Sequence, residues 1–283
     1  MTPKLTNRLL LAPAGLWFIA MLLLPLTVVL VFSFGQRGQA GGYVPAFTFE
    51  QYLNLPARWA AFQNTLTLAP IGTVIVLLIA YPLAYFLAVR SNPKWRTLLL
   101  ILVIVPFWTS ILIRSYAWIF ILGGRGIPVL LDLAGFTGIR LINTPFAVLV
   151  GIVYGYLPLM VFPIFVSLER LDKRLLEASA DLGSPPWRTF VQVTLPMTLP
   201  GVATGCMLVF ILLMGEFLIP AMLGGGKVFF VGNALVDLFL QSRNWAYGSA
   251  VAVALVVVML VTVTLYMAVI KRWGNGRDDV SLM

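Results

Sequence analysis

The chain has 283 residues, of which 60% are hydrophobic and 10% are charged, and its formal net charge is +9. Because soluble proteins carry roughly 25% charged residues, this composition argues against a soluble domain and predicts an all-α, polytopic membrane protein. The single cysteine, Cys206, excludes an internal disulfide, and the absence of histidine excludes imidazole chemistry. Basic residues cluster beside apolar stretches, which is typical of membrane topology rather than of nucleic-acid binding.

Six apolar stretches are long enough to cross a hydrocarbon core of about 30 Å at 1.5 Å per residue. The first is too long for the apolar region of a signal peptide and shows no small-residue cleavage site, so we expect it to persist as a helix. A further stretch, Val228–Leu240, is too short to cross and predicts a re-entrant or surface helix on the outer side. The predicted spans are Leu9–Phe34, Thr65–Val89, Leu98–Leu122, Thr144–Leu168, Val202–Leu223 and Tyr247–Ile270.

The distribution of positive charge predicts the orientation of the chain. With six spans, one side of the membrane holds twice as many basic residues as the other, and the positive-inside rule places both termini in the cytoplasm. Counting Val228–Leu240 as a seventh span would instead place Lys271, Arg272 and Arg277 outside. The basic residues on the predicted outer side are Arg37, Arg58, Arg125, Arg140, Lys227 and Arg243. Those on the predicted cytoplasmic side are Lys4, Arg8, Arg90, Lys94, Arg96, Arg170, Lys173, Arg174, Arg188, Lys271, Arg272 and Arg277.

The longest polar interruption, residues 169–201, lies between the fourth and fifth spans. Gly183 suits the left-handed position that ends a helix, and Ser184 with Pro185 and Pro186 predicts the start of a second short helix, to about Gln192. We therefore expect two short helices that project from the membrane and offer an apolar face to a protein partner. The apolar stripe of the first helix, spaced by three and four residues, comprises Leu168, Leu171, Leu175, Ala178 and Leu182.

This interruption resembles the EAA loop of binding-protein-dependent ABC importer permeases, whose pattern runs E-A-A, three residues, G, nine residues and I-x-L-P. The chain departs from the pattern at Ser179, in place of the second Ala, and at Val193, in place of Ile. The resemblance implies a coupling element that docks on the cytoplasmic ATPase subunit. An ordinary amphipathic loop is the alternative. The coupling residues that the resemblance implies are Glu177, Ala178, Ser179, Asp181, Gly183, Leu195 and Pro196.

Three further stretches, Val105–Trp118, Gly151–Pro158 and Met214–Pro220, resemble the spermidine/putrescine branch of these permeases. The resemblance covers nearly the whole chain, which we treat as a single transmembrane domain, residues 1–283. It implies a multi-pass protein of the bacterial inner membrane that assembles with a second homologous permease subunit, two cytoplasmic ABC ATPase subunits and a periplasmic solute-binding protein.

Neither a catalytic site nor a cofactor site is expected on this chain. The stretch Gly224–Lys227 lacks the earlier Gly and the following Ser or Thr of a phosphate-binding loop. We therefore expect the protein not to be an enzyme. ATP and Mg²⁺ are expected on the partner ATPase subunits, and no metal site is expected here.

Two charged residues, Arg114 and Glu216, lie within predicted spans at similar depth. Intramembrane charges usually face a partner or a water-filled cavity. Three roles are open: a pair with each other or with backbone groups, contact of Glu216 with a substrate ammonium, or a gate. The aromatic residues near this depth suit an ammonium through cation–π attraction, although packing or lipid contact is the alternative for each. These pathway candidates are Trp108, Tyr116, Trp118 and Tyr154, together with Arg114 and Glu216.

We interpret the chain as one half of the translocation pathway of an ATP-driven importer, with a polyamine, putrescine or spermidine, as the solute. The alternative within the class is another small solute such as an opine, an amino-acid derivative or an anion, and Arg114 keeps an anion open. A secondary carrier is the alternative outside it. Such carriers are often built from inverted repeats, and no such repeat is evident in the sequence.

Overall fold

The computed structural model describes the backbone of residues 3–39 and 41–275, and the side chains of residues 11–39, 41–172 and 174–270. The described chain is almost entirely helical, with one short antiparallel hairpin of β1 (Gln36–Arg37) and β2 (Tyr43–Val44). A 3₁₀ turn covers Leu55–Arg58, and π-helical turns cover Phe86–Arg90, Phe190–Thr194 and Asp237–Gln241. The α-helices are α1 (Pro3–Phe32), α2 (Glu50–Leu53), α3 (Trp59–Tyr85), α4 (Pro93–Trp108), α5 (Ile111–Leu122), α6 (Ile127–Leu133), α7 (Pro145–Glu169), α8 (Lys173–Asp181), α9 (Pro186–Thr189), α10 (Leu195–Met214), α11 (Leu218–Leu223), α12 (Val231–Val236) and α13 (Trp245–Asn275).

Within the described residues, six helical stretches are long and apolar enough to cross a membrane. The prediction of an all-α protein with six spans is therefore confirmed. The short apolar stretch Val231–Gln241 is not one of them, as its length predicted. The six stretches are Leu11–Phe32, Leu55–Arg90, Ile111–Leu133, Pro145–Glu169, Pro186–Met214 and Trp245–Ile270.

The predicted third span is interrupted. Leu98–Leu122 was expected to be one helix, but α4 ends at Trp108 and α5 begins at Ile111. The carbonyl of Pro106 accepts hydrogen bonds from both the N–H and the hydroxyl of Thr109, at 3.3 and 2.7 Å. In a continuous helix this carbonyl would accept from the N–H of Ser110 instead. The local hydroxyl bond therefore competes with the helix, and the chain is extended at Thr109.

The predicted fifth span is also shifted. A second short helix ending near Gln192, followed by a separate span Val202–Leu223, is wrong, since Pro186–Met214 is one helical stretch of 29 residues. The helix is π-helical over one turn, at Phe190–Thr194, and continues through this turn without ending. Ser184 is not its N-cap either, because the extended residue before the first turn is Pro185. The stretch ends at Met214, and α11 follows after a short interruption.

The described chain divides into two compact units, residues 3–39 and 41–59 with 234–261, and residues 60–233 with 262–275. The first unit holds an ion pair between Arg58 and Asp237 at 2.9 Å, and the Tyr247 hydroxyl donates to the Asn54 carbonyl at 2.8 Å. Nearly all of α3 and the whole of helices α4 to α11 belong to the second unit. Every candidate site residue lies in that unit.

Close packing of small residues joins α7 with α10 inside the second unit. A Cβ on Gly201 would lie 2.5 Å from Cβ of Ser167 and 2.6 Å from the carbonyl of Pro163. One turn later, a Cβ on Gly205 would lie 2.8 Å from Sδ of Met160. This spacing of two glycines four residues apart lets two membrane helices approach closely. It fixes α10, and the loop that precedes it, against α7.

The cytoplasmic location of both termini stays a prediction. Residues 276–283, with Arg277, lie outside the described residues, as do the side chains of Lys4, Arg8, Lys271 and Arg272.

Candidate functional site

The bend in the polar loop is a tightly hydrogen-bonded helix end. The helix α8 begins at the N-cap Asp172, whose Oδ1 accepts from the N–H of Arg174 at 3.0 Å. At its other end Gly183 has φ +75°, so its predicted left-handed conformation is observed. The N–H of Gly183 donates to the Ala180 carbonyl at 2.8 Å, and that of Ser184 to the Ser179 carbonyl at 3.1 Å. Together these two bonds form a Schellman motif.

A side-chain hydrogen bond closes the bend between α8 and α9. The hydroxyls of Ser179 and Thr189 lie 2.8 Å apart. Ser179 is the residue that stands in place of the second Ala of the EAA pattern, and sequence reasoning treated it only as a tolerated departure. The hydroxyl at this position was the available signal, and its partner ten residues later was missed.

Loss of the Ser179 hydroxyl gives the first testable prediction. Because a net hydrogen bond contributes about 0.5–1.5 kcal/mol, we expect Ser179→Ala to lower solute-stimulated ATP hydrolysis by the assembled importer about two- to tenfold. Thr189→Val removes the same hydrogen bond from its other end and should lower the stimulated ATPase rate to the same extent. The double variant should therefore hydrolyse ATP no more slowly than either single variant. Additive losses, measured as ATPase rates, would contradict a shared bond.

The face that the loop presents is apolar and exposed. Leu182 is 87% exposed and Trp187 is 65% exposed, and the guanidinium of Arg188 lies 5.6 Å from the Trp187 ring centroid. The predicted apolar stripe is divided into a buried and an exposed part. Leu168 and Leu171 are buried, whereas Leu175, Ala178 and Leu182 are exposed. An apolar group of this kind on a polar loop is typical of a protein-binding surface. The coupling candidates Glu177, Ala178 and Asp181 are exposed on the same helix.

The last two coupling candidates, Leu195 and Pro196, occupy the first turn of α10 rather than the bend. They are half-buried. One turn on, the buried hydroxyl of Thr198 lies 2.8 Å from the Tyr81 hydroxyl of α3. The Phe190 ring meets the Tyr81 ring edge-on, with centroids 5.5 Å apart. The end of the loop is therefore held against α3 as well as α7.

Glu216 lies in the interruption between α10 and α11, and not within a helix as predicted. Its Oε1 accepts from the backbone N–H groups of Phe217, Leu218 and Ile219 at 2.9, 2.7 and 3.2 Å. Its Oε2 accepts from the hydroxyl of Tyr156, and the residue is only 7% exposed. The carboxylate therefore satisfies the N–H groups that the start of α11 leaves without helical partners. Among the predicted alternatives, this is the pairing with backbone groups.

The alternative of an ion pair between Arg114 and Glu216 is not observed. In the part of the chain whose side chains are described, ion pairs join Arg58 with Asp237 and Arg96 with Glu169, and Arg114 takes part in neither. Instead, its guanidinium carbon lies 6.0 Å from the Phe107 ring centroid and 5.9 Å from that of Tyr154.

Some of the predicted pathway residues are brought together and others are not. Trp118 meets Tyr154 edge-on, with ring centroids 5.7 Å apart, next to Arg114. Trp108 and Tyr116, by contrast, are 80% and 63% exposed and take no part in these ring contacts. The structure adds Phe107, which lies beside Arg114, and Tyr156, which donates to Glu216; neither is among the six predicted pathway residues.

A groove with largely apolar walls and a volume of about 680 Å³ lies between α4, α7 and α10. Phe107 and Trp108 line one end, and Ser167 with Arg170 the other. The ion pair between Arg96 and Glu169, 3.3 Å apart, lies at the same end of α4 and α7 as Arg170. The groove therefore runs along these helices from the polar loop toward the aromatic cluster, which comprises Phe107, Trp118 and Tyr154 near Arg114.

Comparison with known proteins decides the family. Residues 80–274 match the model of the binding-protein-dependent transport system inner membrane component. The chain belongs to this family. The permease is 43% identical to the spermidine/putrescine transport system permease protein PotB of Haemophilus influenzae over 255 residues, which cover 88% of this chain and 89% of that protein. It is 37% identical to the PotB protein of Salmonella typhimurium, with 99% of each chain covered.

Solved structures show the same fold at lower identity. A bacterial ABC transporter that imports the polysaccharide alginate matches with a TM-score of 0.74 and 17% identity, covering 95% of the permease and 97% of that chain. The MetNI methionine ABC transporter matches with a TM-score of 0.57 and 21% identity, covering 77% and 97%. The family match and the similarity to PotB show that the permease is a multi-pass inner-membrane subunit of an ABC importer, and this family is one of transport permeases and not of enzymes.

Proposed function

We propose that the permease forms one half of the translocation pathway for spermidine and putrescine. The observation that carries this is the similarity to proteins named as spermidine/putrescine permeases, which reaches 43% identity over 88% of the chain and extends at 37% over 99%. The aligned region therefore includes the polar loop, the helix interruptions and the aromatic cluster. A molybdenum transport permease of Azotobacter vinelandii is less similar, at 29% identity over 68% of the chain.

The partners we propose are a second homologous permease subunit, two cytoplasmic ABC ATPase subunits that bind ATP and Mg²⁺, and a periplasmic solute-binding protein. A binding protein is part of the family's description, and the alginate transporter has also been solved in complex with a periplasmic protein that holds an alginate pentasaccharide. Both termini and the 169–201 loop lie in the cytoplasm in this arrangement, which agrees with the positive-inside rule.

The polar loop couples ATP hydrolysis to the membrane helices in this proposal. Its exposed face, with Glu177, Leu182 and Trp187, binds the ATPase subunit. The stretch Pro186–Met214 continues from the bend without a break, and at 1.5 Å per residue it reaches about 40 Å. A displacement of the loop is therefore carried along one helix to the interruption at Glu216. There the capped start of α11 moves with it.

Solute preference of the ATPase activity tests this function. The assembled complex, reconstituted with its binding protein, should hydrolyse ATP faster with spermidine or putrescine than without solute. Glutamate and molybdate, at equal concentration, should leave the rate at its basal value. Stimulation by molybdate or glutamate and not by either polyamine would refute the solute assignment and favour an anion or an amino-acid derivative.

A further inference from the structure

The Arg114 side chain is half-buried, and part of its guanidinium has no hydrogen-bond partner. In the described part of the chain, its Nε and Nη1 are buried and have no hydrogen-bond partner. The intramembrane carboxylate of Glu216 is already engaged by three backbone N–H groups and the Tyr156 hydroxyl. Since buried charges are normally paired and hydrogen-bonded, the position of Arg114 needs another explanation.

Aromatic rings take the place of an anion around this guanidinium. Phe107 comes from the last turn of α4 and Tyr154 from the middle of α7, and both ring centroids lie within about 6 Å of the guanidinium carbon. Trp118, one turn after Arg114 on α5, holds the Tyr154 ring edge-on. A cation at this distance from aromatic faces is attracted by the ring quadrupole, and more strongly where it is desolvated.

We propose that Phe107 and Tyr154 form a binding site for an alkylammonium group, and that Arg114 occupies this site while no solute is present. Arg114 is in this view a tethered cation that the ammonium of a passing solute displaces. The inference deepens the proposed function and rests on it, because both ends of putrescine and spermidine are primary ammonium groups.

The surroundings of the two rings allow such an exchange. Phe107 is 38% exposed and Tyr154 39% exposed, so the chain itself leaves part of each residue accessible to an incoming group. Phe107 also lines the groove between α4, α7 and α10. The exchange replaces one cation by another at the same rings, so the net gain in free energy is small. A site on a pathway needs this property, because the solute must leave as well as enter.

Binding of labelled tetramethylammonium to the assembled complex, without binding protein or ATP, tests the proposal. This probe is a cation with no hydrogen-bond donors, so it reports the aromatic site alone. We expect Arg114→Gln to lower the Kd of tetramethylammonium about tenfold, because the variant removes the competing cation. A tenfold change in Kd corresponds to roughly 1.4 kcal/mol. Arg114→Lys should retain weak binding, because a cation still competes. Arg125→Gln, an equal change on an exposed loop residue, should have no effect.

Two further variants make the proposal falsifiable. Tyr154→Ala, added to Arg114→Gln, should abolish the gain. If Arg114→Gln binds no tighter than wild type, or if its gain survives the loss of Tyr154, the proposal is refuted. If Arg114→Gln separates the complex into subunits, Arg114 belongs to a subunit interface and the proposal is again refuted. Failure of the polyamine assignment would appear differently, as a complex whose ATPase ignores polyamines while the tetramethylammonium result still holds.

Discussion

Replacement of Gly183 by valine should abolish solute-stimulated ATP hydrolysis while leaving the permease in the membrane. Gly183 has φ +75°, and a left-handed conformation costs a residue with a Cβ roughly 1–2 kcal/mol or more. A Cβ at this position meets no atom within 4 Å, so the variant is strained by its backbone alone. Relief of that strain opens the Schellman motif and turns α9 away from α8. We expect the stimulated rate, measured on the purified complex, to fall at least tenfold.

Two controls separate this conformational effect from a change in side chain. Gly183→Asn should retain most of the stimulated rate, because asparagine tolerates the left-handed region better than other residues. Gly124→Val should behave as wild type, since that glycine has open space around its Cβ position and no left-handed backbone. Solute-stimulated hydrolysis by Gly183→Val at the wild-type rate would show that the conformation of the bend is not needed to couple ATP hydrolysis to solute transport.

Replacement of Glu216 by alanine should prevent accumulation of a stable complex, whereas replacement by glutamine should be tolerated. The carboxylate accepts four hydrogen bonds, three from backbone N–H groups and one from Tyr156. Each buried donor left unsatisfied costs about 1–3 kcal/mol, and alanine leaves all four. Glutamine keeps one oxygen for the backbone groups, and its amide can donate to the Tyr156 hydroxyl. We expect Glu216→Gln to retain polyamine uptake within about threefold of wild type.

The pair of variants separates a structural role of Glu216 from contact with solute. If the carboxylate binds the ammonium, glutamine should remove uptake while the complex still assembles. The thermal aggregation of the solubilised complex reports its stability, and polyamine uptake, measured on the same variants, reports its transport function. Loss of uptake by a stable Glu216→Gln complex would contradict the capping role that the structure gives this residue.

Sequence reasoning succeeded where one local rule decides the structure. Hydropathy over about twenty residues predicted the number of spans, because a membrane helix must satisfy its backbone internally. The left-handed Gly183 was predicted because only glycine adopts that conformation readily. Pro145–Glu169 begins and ends within one residue of the prediction, since a threonine N-cap and a polar loop mark its ends.

Sequence reasoning failed where competing hydrogen bonds or tertiary contacts determine the local structure. The break at Thr109 depends on which donor reaches the Pro106 carbonyl, and an apolar run does not reveal this choice. The stretch from Pro186 to Met214 continues through a π-helical turn that has no signature in hydropathy. The partners of Glu216 come from α11 and α7, so its role depended on tertiary packing. Arg114 and its rings belong to three helices, and their contact could not be read from spacing along one.

The most direct test of polyamine import is ATP-dependent uptake of labelled putrescine and spermidine into proteoliposomes that contain the permease with its co-encoded partners. We expect uptake that requires ATP and the binding protein, is lost in Gly183→Val and persists in Glu216→Gln. Assembly and basal ATP hydrolysis should be intact in both variants. An assembled, ATP-hydrolysing complex that accumulates neither polyamine would contradict the assignment of this chain to polyamine import.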